Sequence, residues 1–443
     1  MKTLDKIPVT KFERAGKLVQ TGVKLGGNYM KYYGKKMLQG EVARETLDQD
    51  NARDVYDGLK TLKGSALKVA QMLSMEQNLL PRAYVDQFSL AQFSVPALSV
   101  PLVRKTFRRY FQKDPLEVFD AFESEALHAA SIGQVHRATK DGKKLAVKIQ
   151  YPGVADSVRS DLALVRPIAL RMLQLKSKDL DKYFREVEGK LLEETDYLLE
   201  LAQGKAISEA CAHIEGIHFP NYYPEWSSPR ILTMDWMDGM HLGEFVKTDF
   251  KPELGSQVGQ VLWNFYMHQI HELRQVHADP HPGNFLVDTN GGLIAIDFGC
   301  VKQIPDNFYI PYFELARPEV LEDDERFTEK LLDLEILTEA DTPEQRNFYK
   351  AMFLEMLTLF TRPFHGDTFD FSDPEFWGRI SDLSRRLSAD PELRKMDAGR
   401  GSPHFLYMNR TFFGLYHLLY DLKAQVSVGA LHLKPESKME SGK

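Results

Sequence analysis

Val276-His277-Ala278-Asp279-Pro280-His281-Pro282-Gly283-Asn284-Phe285 is followed, thirteen residues after Asn284, by Asp297-Phe298-Gly299. Between the two blocks lie two apolar runs, Leu286-Val287 and Leu293-Ile294-Ala295-Ile296, around an Asn290-Gly291-Gly292 turn. Short apolar runs around an Asn-Gly turn predict a β-hairpin. Such a hairpin returns Asp297 to the neighbourhood of Asn284. One carboxylate can then orient a hydroxyl, while an amide oxygen and a second carboxylate hold Mg²⁺ against nucleotide phosphates. The chemistry is phosphoryl transfer, with Asp279 as the catalytic carboxylate and Asn284 and Asp297 as the metal ligands.

Two other readings compete. Asp-Phe-Gly alone arises often by chance, so a structural turn is the plain alternative. His277, Asp279 and His281 also form a His-x-Asp-x-His cluster of the kind zinc hydrolases use. Such a site needs further ligands and partners that orient them, and no further cluster stands out in the sequence.

A kinase-type site demands a lysine upstream on a strand. Leu145-Ala146-Val147-Lys148-Ile149-Gln150 follows a turn at Lys140-Asp141-Gly142-Lys143 and supplies one, Lys148, as the nucleotide-phosphate lysine. Ahead of it, Ala129-Ala130-Ser131 stands where a glycine-rich phosphate loop is expected. Alanine enters positive φ only with strain, so this loop should be stiffer and wrap the nucleotide less closely. The lysine also needs a helical carboxylate. Residues 181–203 read as one long acidic helix, with Glu193, Asp196 and Glu200 on one face, and Glu200 is the partner chosen for Lys148. Arg230 to Trp236 reads as a strand, with Met234, Trp236 and Met237 at the hinge that would meet adenine.

These residues resemble the UbiB/ADCK (AarF) family of atypical protein-kinase-like proteins. Four motifs carry the resemblance: Ala129-Ala130-Ser131, the Val276–Phe285 block, Glu194-Thr195-Asp196 and Lys68-Val69-Ala70-Gln71. The last departs from the family's Lys-x-Gly-Gln in having Ala70 for glycine, and Gln92-Phe93-Ser94-Val95-Pro96 lacks an aspartate common in relatives. The resemblance runs from about Gly58 to about Val301. It implies an α+β, protein-kinase-like two-lobed fold with an N-terminal helical extension packed over the active site. It implies that Lys68 and Gln71 regulate the site by contacting Glu194 and Asp196. It also implies ATP and Mg as ligands, and a role in isoprenoid-quinone biosynthesis or membrane lipid metabolism with a lipid or quinone intermediate as partner.

Composition bounds the rest. With 443 residues, 43% of them hydrophobic, the chain can bury one large core or two lobes. Cys211 and Cys300 cannot build a disulfide framework, which suggests a reducing, cytoplasmic setting. Residues 1–40 carry nine Lys/Arg against Asp5 and Glu13, a balance of +7 within a net −7, so the remainder stands at −14. An acidic body argues against nucleic acid as a partner. The basic segment predicts peripheral membrane contact through residues 1–40, a docked helix being the alternative. No stretch of 18 apolar residues predicts a transmembrane helix, and no apolar signal region opens the chain.

The expected organisation is a helical extension over 1–100, an N-lobe over 101–237, a helical C-lobe over 238–433 and a disordered tail over 434–443. A homodimer is left open. The leading function is an ATP- and Mg-dependent atypical kinase or ATPase. No Ala-Pro-Glu segment follows Gly299, which disfavours peptide substrates. The alternatives are a soluble small-molecule phosphotransferase of the aminoglycoside-kinase type and a non-catalytic nucleotide-gated scaffold.

Overall fold

The computed structural model describes residues 16, 24, 27–28, 30–32, 44–62, 68, 83, 87, 97–129, 132–173, 177–389 and 400–429. Ala70, Gln71, Gln92–Pro96, Ala130, Ser131, the 434–443 tail and most of residues 1–40 lie outside them. The chain divides into two compact units, 1–203 with 220–237, and 204–219 with 238–443.

The first unit is organised by a five-stranded sheet. β3 (Gly133–Lys140) pairs with β1 (Ala121–Phe122) and β2 (His128–Ala129) on one side and with β4 (Lys143–Gln150) on the other. β4 pairs in turn with β6 (Ile231–Asp235). The β3–β4 ladder runs unbroken from Gly133↔Gln150 to Lys140↔Lys143. Asp141 and Gly142 both have positive φ, 49° and 73°, as a two-residue turn matched to strand twist requires. β4 is central, so most of it is buried, and only Lys148 interrupts the run from Leu145 to Gln150.

Leu145, Val147 and Ile149 share one buried cluster with several helices. Val55, Tyr56 and Leu59 come from α1 (Arg44–Leu62) and Phe107 from α2 (Val100–Phe111). Phe119 follows the single turn α3 (Pro115–Val118). Val158 belongs to α4 (Val154–Leu173) and Leu191 to α5 (Ser177–Glu194). α1 is thus part of the sheet's own core.

The single helix expected over 181–203 is two. α5 ends at Glu194 and α6 (Tyr197–Cys211) begins after a break at Thr195-Asp196. Three groups explain the break. Asp196 Oδ1 accepts the amides of Leu198 and Leu199 at 3.1 and 3.3 Å, the role of an N-cap. Thr195 Oγ1 turns back onto the Leu192 carbonyl, and the Thr195 carbonyl accepts from Gln150 and Arg230. Local capping and distant donors together outweigh helix propensity.

The second unit holds a four-stranded sheet in the order β5 (Ile217–His218), β10 (Leu293–Ala295), β9 (Phe285–Val287), β7 (Met240–His241). After the single turn α7 (Leu242–Phe245), the long helix α8 (Pro252–His271) buries Val258, Leu262, Phe265, Tyr266 and Ile270. β8 (Gln275–His277) follows and pairs with β11 (Val301–Gln303). The helices α9 (Asp306–Glu314), α10 (Pro318–Leu321), α11 (Asp324–Asp333), α12 (Pro343–Phe360) and α13 (Pro374–Ala389) continue the unit. It closes with α14 (Pro403–Asp421), and the ribbon β12 (Thr368–Asp370) pairs with β13 (Gln425–Ser427). No helix among the described residues is long and apolar enough to cross a membrane.

Candidate functional site

In the first unit, Lys148 projects from the centre of β4, opposite Leu232 on β6 and Val135 on β3. Its Nζ donates to both oxygens of Glu200, at 2.8 and 3.0 Å, and lies 5.1 Å from the centre of the Tyr197 ring. Glu200 is only 2% exposed. A carboxylate so buried persists because an ammonium meets both of its oxygens. Tyr197, fully buried at the start of α6, carries no signal in the sequence that would place it under the lysine.

The acidic pair of the Glu-x-Asp motif divides its work. Glu194, buried at the end of α5, meets the Lys68 ammonium at 3.0 Å, and Lys68 is itself about one-quarter exposed. Asp196 is exposed and caps α6. Gln71, Ala130 and Ser131 lie outside the described residues. Ala129 ends β2, half-buried and paired with Gln134. Of the hinge residues, Met234 is buried in β6. The Trp236 amide donates to the Lys144 carbonyl at 2.9 Å, and its ring lies 4.2 Å beneath the Arg137 guanidinium. The Trp236 amide is therefore engaged by the sheet, and Met237 follows it half-buried.

The second unit builds its cluster from local chain geometry. The β8–β11 ladder matches His277 with Val301, and the Ala278 amide donates to the Cys300 carbonyl at 2.8 Å. These bonds hold the segments bearing Asp279 and Asp297-Phe298-Gly299 side by side. The expected hairpin is present as β9 and β10, with Val287 opposite Leu293. Its turn places Gly291 at φ +80°, while the Asp288 carboxylate accepts the Asn290 and Gly292 amides.

Between the strands, Pro282–Asn284 form one tight turn, capped by His281 Nδ1 accepting from the Gly283 amide at 3.0 Å. Asn284 Nδ2 donates to the Asp279 carbonyl at 2.8 Å, which directs its amide oxygen away from that carbonyl. The Ile296 amide donates to the Asn284 carbonyl at 3.0 Å and ties the end of the hairpin to its start. Asp297 Oδ1 accepts from the Gly299 amide at 3.0 Å. A cation stands by this cluster: Arg410, on α14, lies 3.7 Å from Asp279 Oδ1. Nothing in the sequence around residue 410 pointed to that contact.

His277 is a core histidine. It is 1% exposed, its backbone amide donates to Gln269 Oε1 at 2.9 Å, and its ring packs near Phe285 and Phe298. Tyr266 lies fully buried nearby. Burial pushes its phenol well above the usual range, and the Asp279 charge pushes it further. Among the described residues no group of three or more His, Cys, Asp and Glu is placed to hold a metal by protein ligands alone.

The arrangement of helices and sheets is kinase-like. A solved structure of Rv3197 with erythromycin, from Mycobacterium tuberculosis, matches with a TM-score of 0.61 over 88% of this chain and 97% of that one, at 24% identity. That likeness concerns the fold. Residues 90–331 match the ABC1 atypical kinase-like domain, and the chain belongs to that family. A probable serine/threonine-protein kinase abkA of Dictyostelium discoideum is 25% identical over 87% of this chain and 74% of its own length. The mitochondrial atypical kinase COQ8B of Rattus norvegicus is 27% identical over 87% and 75%. The chloroplastic protein ACTIVITY OF BC1 COMPLEX KINASE 8 of Arabidopsis thaliana is 32% identical over 62% of this chain, which covers only 36% of that protein.

Proposed function

We propose that this protein binds Mg-ATP and acts as an atypical kinase or ATPase in isoprenoid-quinone or membrane-lipid metabolism. The observation that carries the reading is the buried Lys148–Glu200 pair. A lysine held on a central strand by a helical carboxylate is the device that kinases use to set nucleotide phosphates. Relatives named COQ8 support the quinone side of the proposal at the level of the family resemblance.

The donors fit the metal. Magnesium prefers hard oxygen ligands and takes one or two from protein, the rest from water and phosphate. The Asn284 amide oxygen and the Asp297 carboxylate are such donors, and bound magnesium would neutralise charge on the phosphates. In this reading Lys148 engages the phosphates and Ala129, Ala130 and Ser131 cover them. Met234, Trp236 and Met237 border adenine. Asp279 orients the attacking hydroxyl or water and accepts its proton. Lys68, Gln71, Glu194 and Asp196 regulate access.

Only Cys300–Pro305 separate Gly299 from α9. So short a segment offers little surface for docking a peptide, which favours a small acceptor or water. Asp297→Asn tests the reading. Asparagine can still accept the Gly299 amide, so the ligand-free melting temperature should stay near the parent's. At a hundredfold excess of Mg-ATP over its Kd the parent gains about 3 kcal/mol, and the variant should gain little. The variant should also fail to restore the quinone or lipid profile of a strain lacking the gene. Equal stabilisation of both proteins by Mg-ATP would refute the assignment.

A further inference from the structure

Helix α14 lies outside the 90–331 stretch that matches the family domain, yet it touches the catalytic loop at two points and the strand after Asp297-Phe298-Gly299 at a third. Tyr407, Arg410 and Gly414, at i, i+3 and i+7, share one helix face. The Tyr407 hydroxyl donates to the Gln303 carbonyl, at the end of the strand that follows Asp297-Phe298-Gly299. Arg410 Nη2 stands 3.7 Å from Asp279 Oδ1, and both side chains are about one-quarter exposed. At Gly414 the helix comes so close that a Cβ there would stand 2.4 Å from Pro280 Cγ and 3.3 Å from the Pro280 carbonyl oxygen. Only glycine allows this approach. The approach fixes how far Arg410, one turn earlier, stands from Asp279.

We infer that Arg410 is a positioning residue that holds the Asp279 carboxylate for turnover, so that the working site requires the C-terminal helix as well as the family domain. The inference rests on Asp279 being the catalytic carboxylate. A guanidinium offers several N–H donors in a rigid plane and stays charged. At 3.7 Å from one oxygen of Asp279, longer than a hydrogen bond, its charge biases the orientation of the carboxylate, while the Asn284 amide holds the same residue's carbonyl. The side chain and backbone of Asp279 are thus fixed from two directions by residues 126 positions apart in the chain.

The test uses the full chain and its Mg-ATP turnover, with Arg410→Gln, Arg410→Lys, Asp279→Asn and the double variant Arg410→Gln/Asp279→Asn. Arg410→Gln should lower kcat by about tenfold while KM for Mg-ATP stays within about twofold, because misorientation of a catalytic group acts on the chemical step. Arg410→Lys, which keeps the charge, should recover most of the loss. The double variant should be no slower than Asp279→Asn alone. Parent-like turnover in Arg410→Gln, beside an inert Asp279→Asn, removes the positioning role and leaves Asp279 in place. Equal losses in the Gln and Lys variants, with kcat, KM and melting temperature moving together, mean that Arg410 only packs. Parent-like turnover in Asp279→Asn overturns the reading of Asp279 itself. As a readout independent of turnover, the two single variants and the double variant form a cycle in urea unfolding. Additive losses of stability there would also reject the contact.

Discussion

The two units assemble their chemistry in opposite ways. In the first, Lys148 and Glu200 meet across 52 positions of sequence, and Lys68 meets Glu194 from farther still. Each pair is a long-range contact between separately packed elements, with its carboxylate almost wholly buried. In the second, Asn284 reaches Asp279 across five positions, and a three-residue hairpin ladder returns Asp297. There the backbone does the placing, and the side chains need only follow it. A cluster placed by charge pairs should depend on those charges for stability. One placed by a hairpin should tolerate their loss and forfeit only chemistry.

The largest effect should therefore come from Lys148→Met. It leaves the Glu200 carboxylate, 2% exposed, without the ammonium that faces it. Removing one partner of a buried pair costs about 3–5 kcal/mol. Urea unfolding of parent and variant measures this, with the nearly isosteric Asp297→Asn as the contrasting change in the second unit. If Lys148→Met costs no more than Asp297→Asn, the distinction between the two clusters collapses.

The same contrast decides what was legible in the sequence. The hairpin of the second unit was readable because apolar runs around Asn290-Gly291-Gly292 are a local code, and the Asp141-Gly142 turn was readable for the same reason. Lys148 stood out as the one charge in the run from Leu145 to Gln150, set between the alanine-rich loop and the catalytic segment. The break at Thr195-Asp196 was not seen. Acidic and apolar residues continue at helical spacing across it, and part of its cause is the claim that Gln150 and Arg230 make on the Thr195 carbonyl. Arg410 was invisible for a stronger reason. Its meaning depends on how a distant helix packs, and Gly414, which allows that packing, looks like any weak point in a helix.

Acid should weaken the second unit by a different route. His271, at the end of α8 just ahead of β8, lies against Tyr309 and Phe313, with Nδ1 2.8 Å from the Tyr309 hydroxyl. Its Nε2 is buried without a hydrogen-bond partner among the described residues. Burial, and then the Arg274 charge, lower its pKa to about 4. In the unfolded chain it titrates near about 6.5. Between those values the unfolded state binds a proton that the native state refuses, so stability falls as pH drops through about 6.5 to 4 and levels off below. The loss from this group is at most about 3 kcal/mol. His271→Phe keeps the ring packing and removes the titration, so its stability should fall less than the parent's between pH 7.5 and 4.5. An unchanged gap between the two proteins across that range would rule out His271 as the acid-sensitive group.

The smallest effect tests an acidic residue of the first unit that is placed by local structure. Asp196 is exposed, and its Oδ1 accepts the Leu198 and Leu199 amides at 3.1 and 3.3 Å. Those amides open α6, which carries Tyr197 and Glu200 toward Lys148. Losing such a cap costs about 1 kcal/mol, and asparagine caps nearly as well as aspartate. Charge adds a few tenths through the positive end of the helix. Asp196→Ala should therefore lose about 1 kcal/mol in urea unfolding, and Asp196→Asn much less. Glu194, two positions earlier and buried against Lys68, caps no amide among the described residues, so its role is one of charge. If Asp196→Asn costs as much as Asp196→Ala, then Asp196 too acts by its charge, and the first unit is held by long-range electrostatics even where its chain turns.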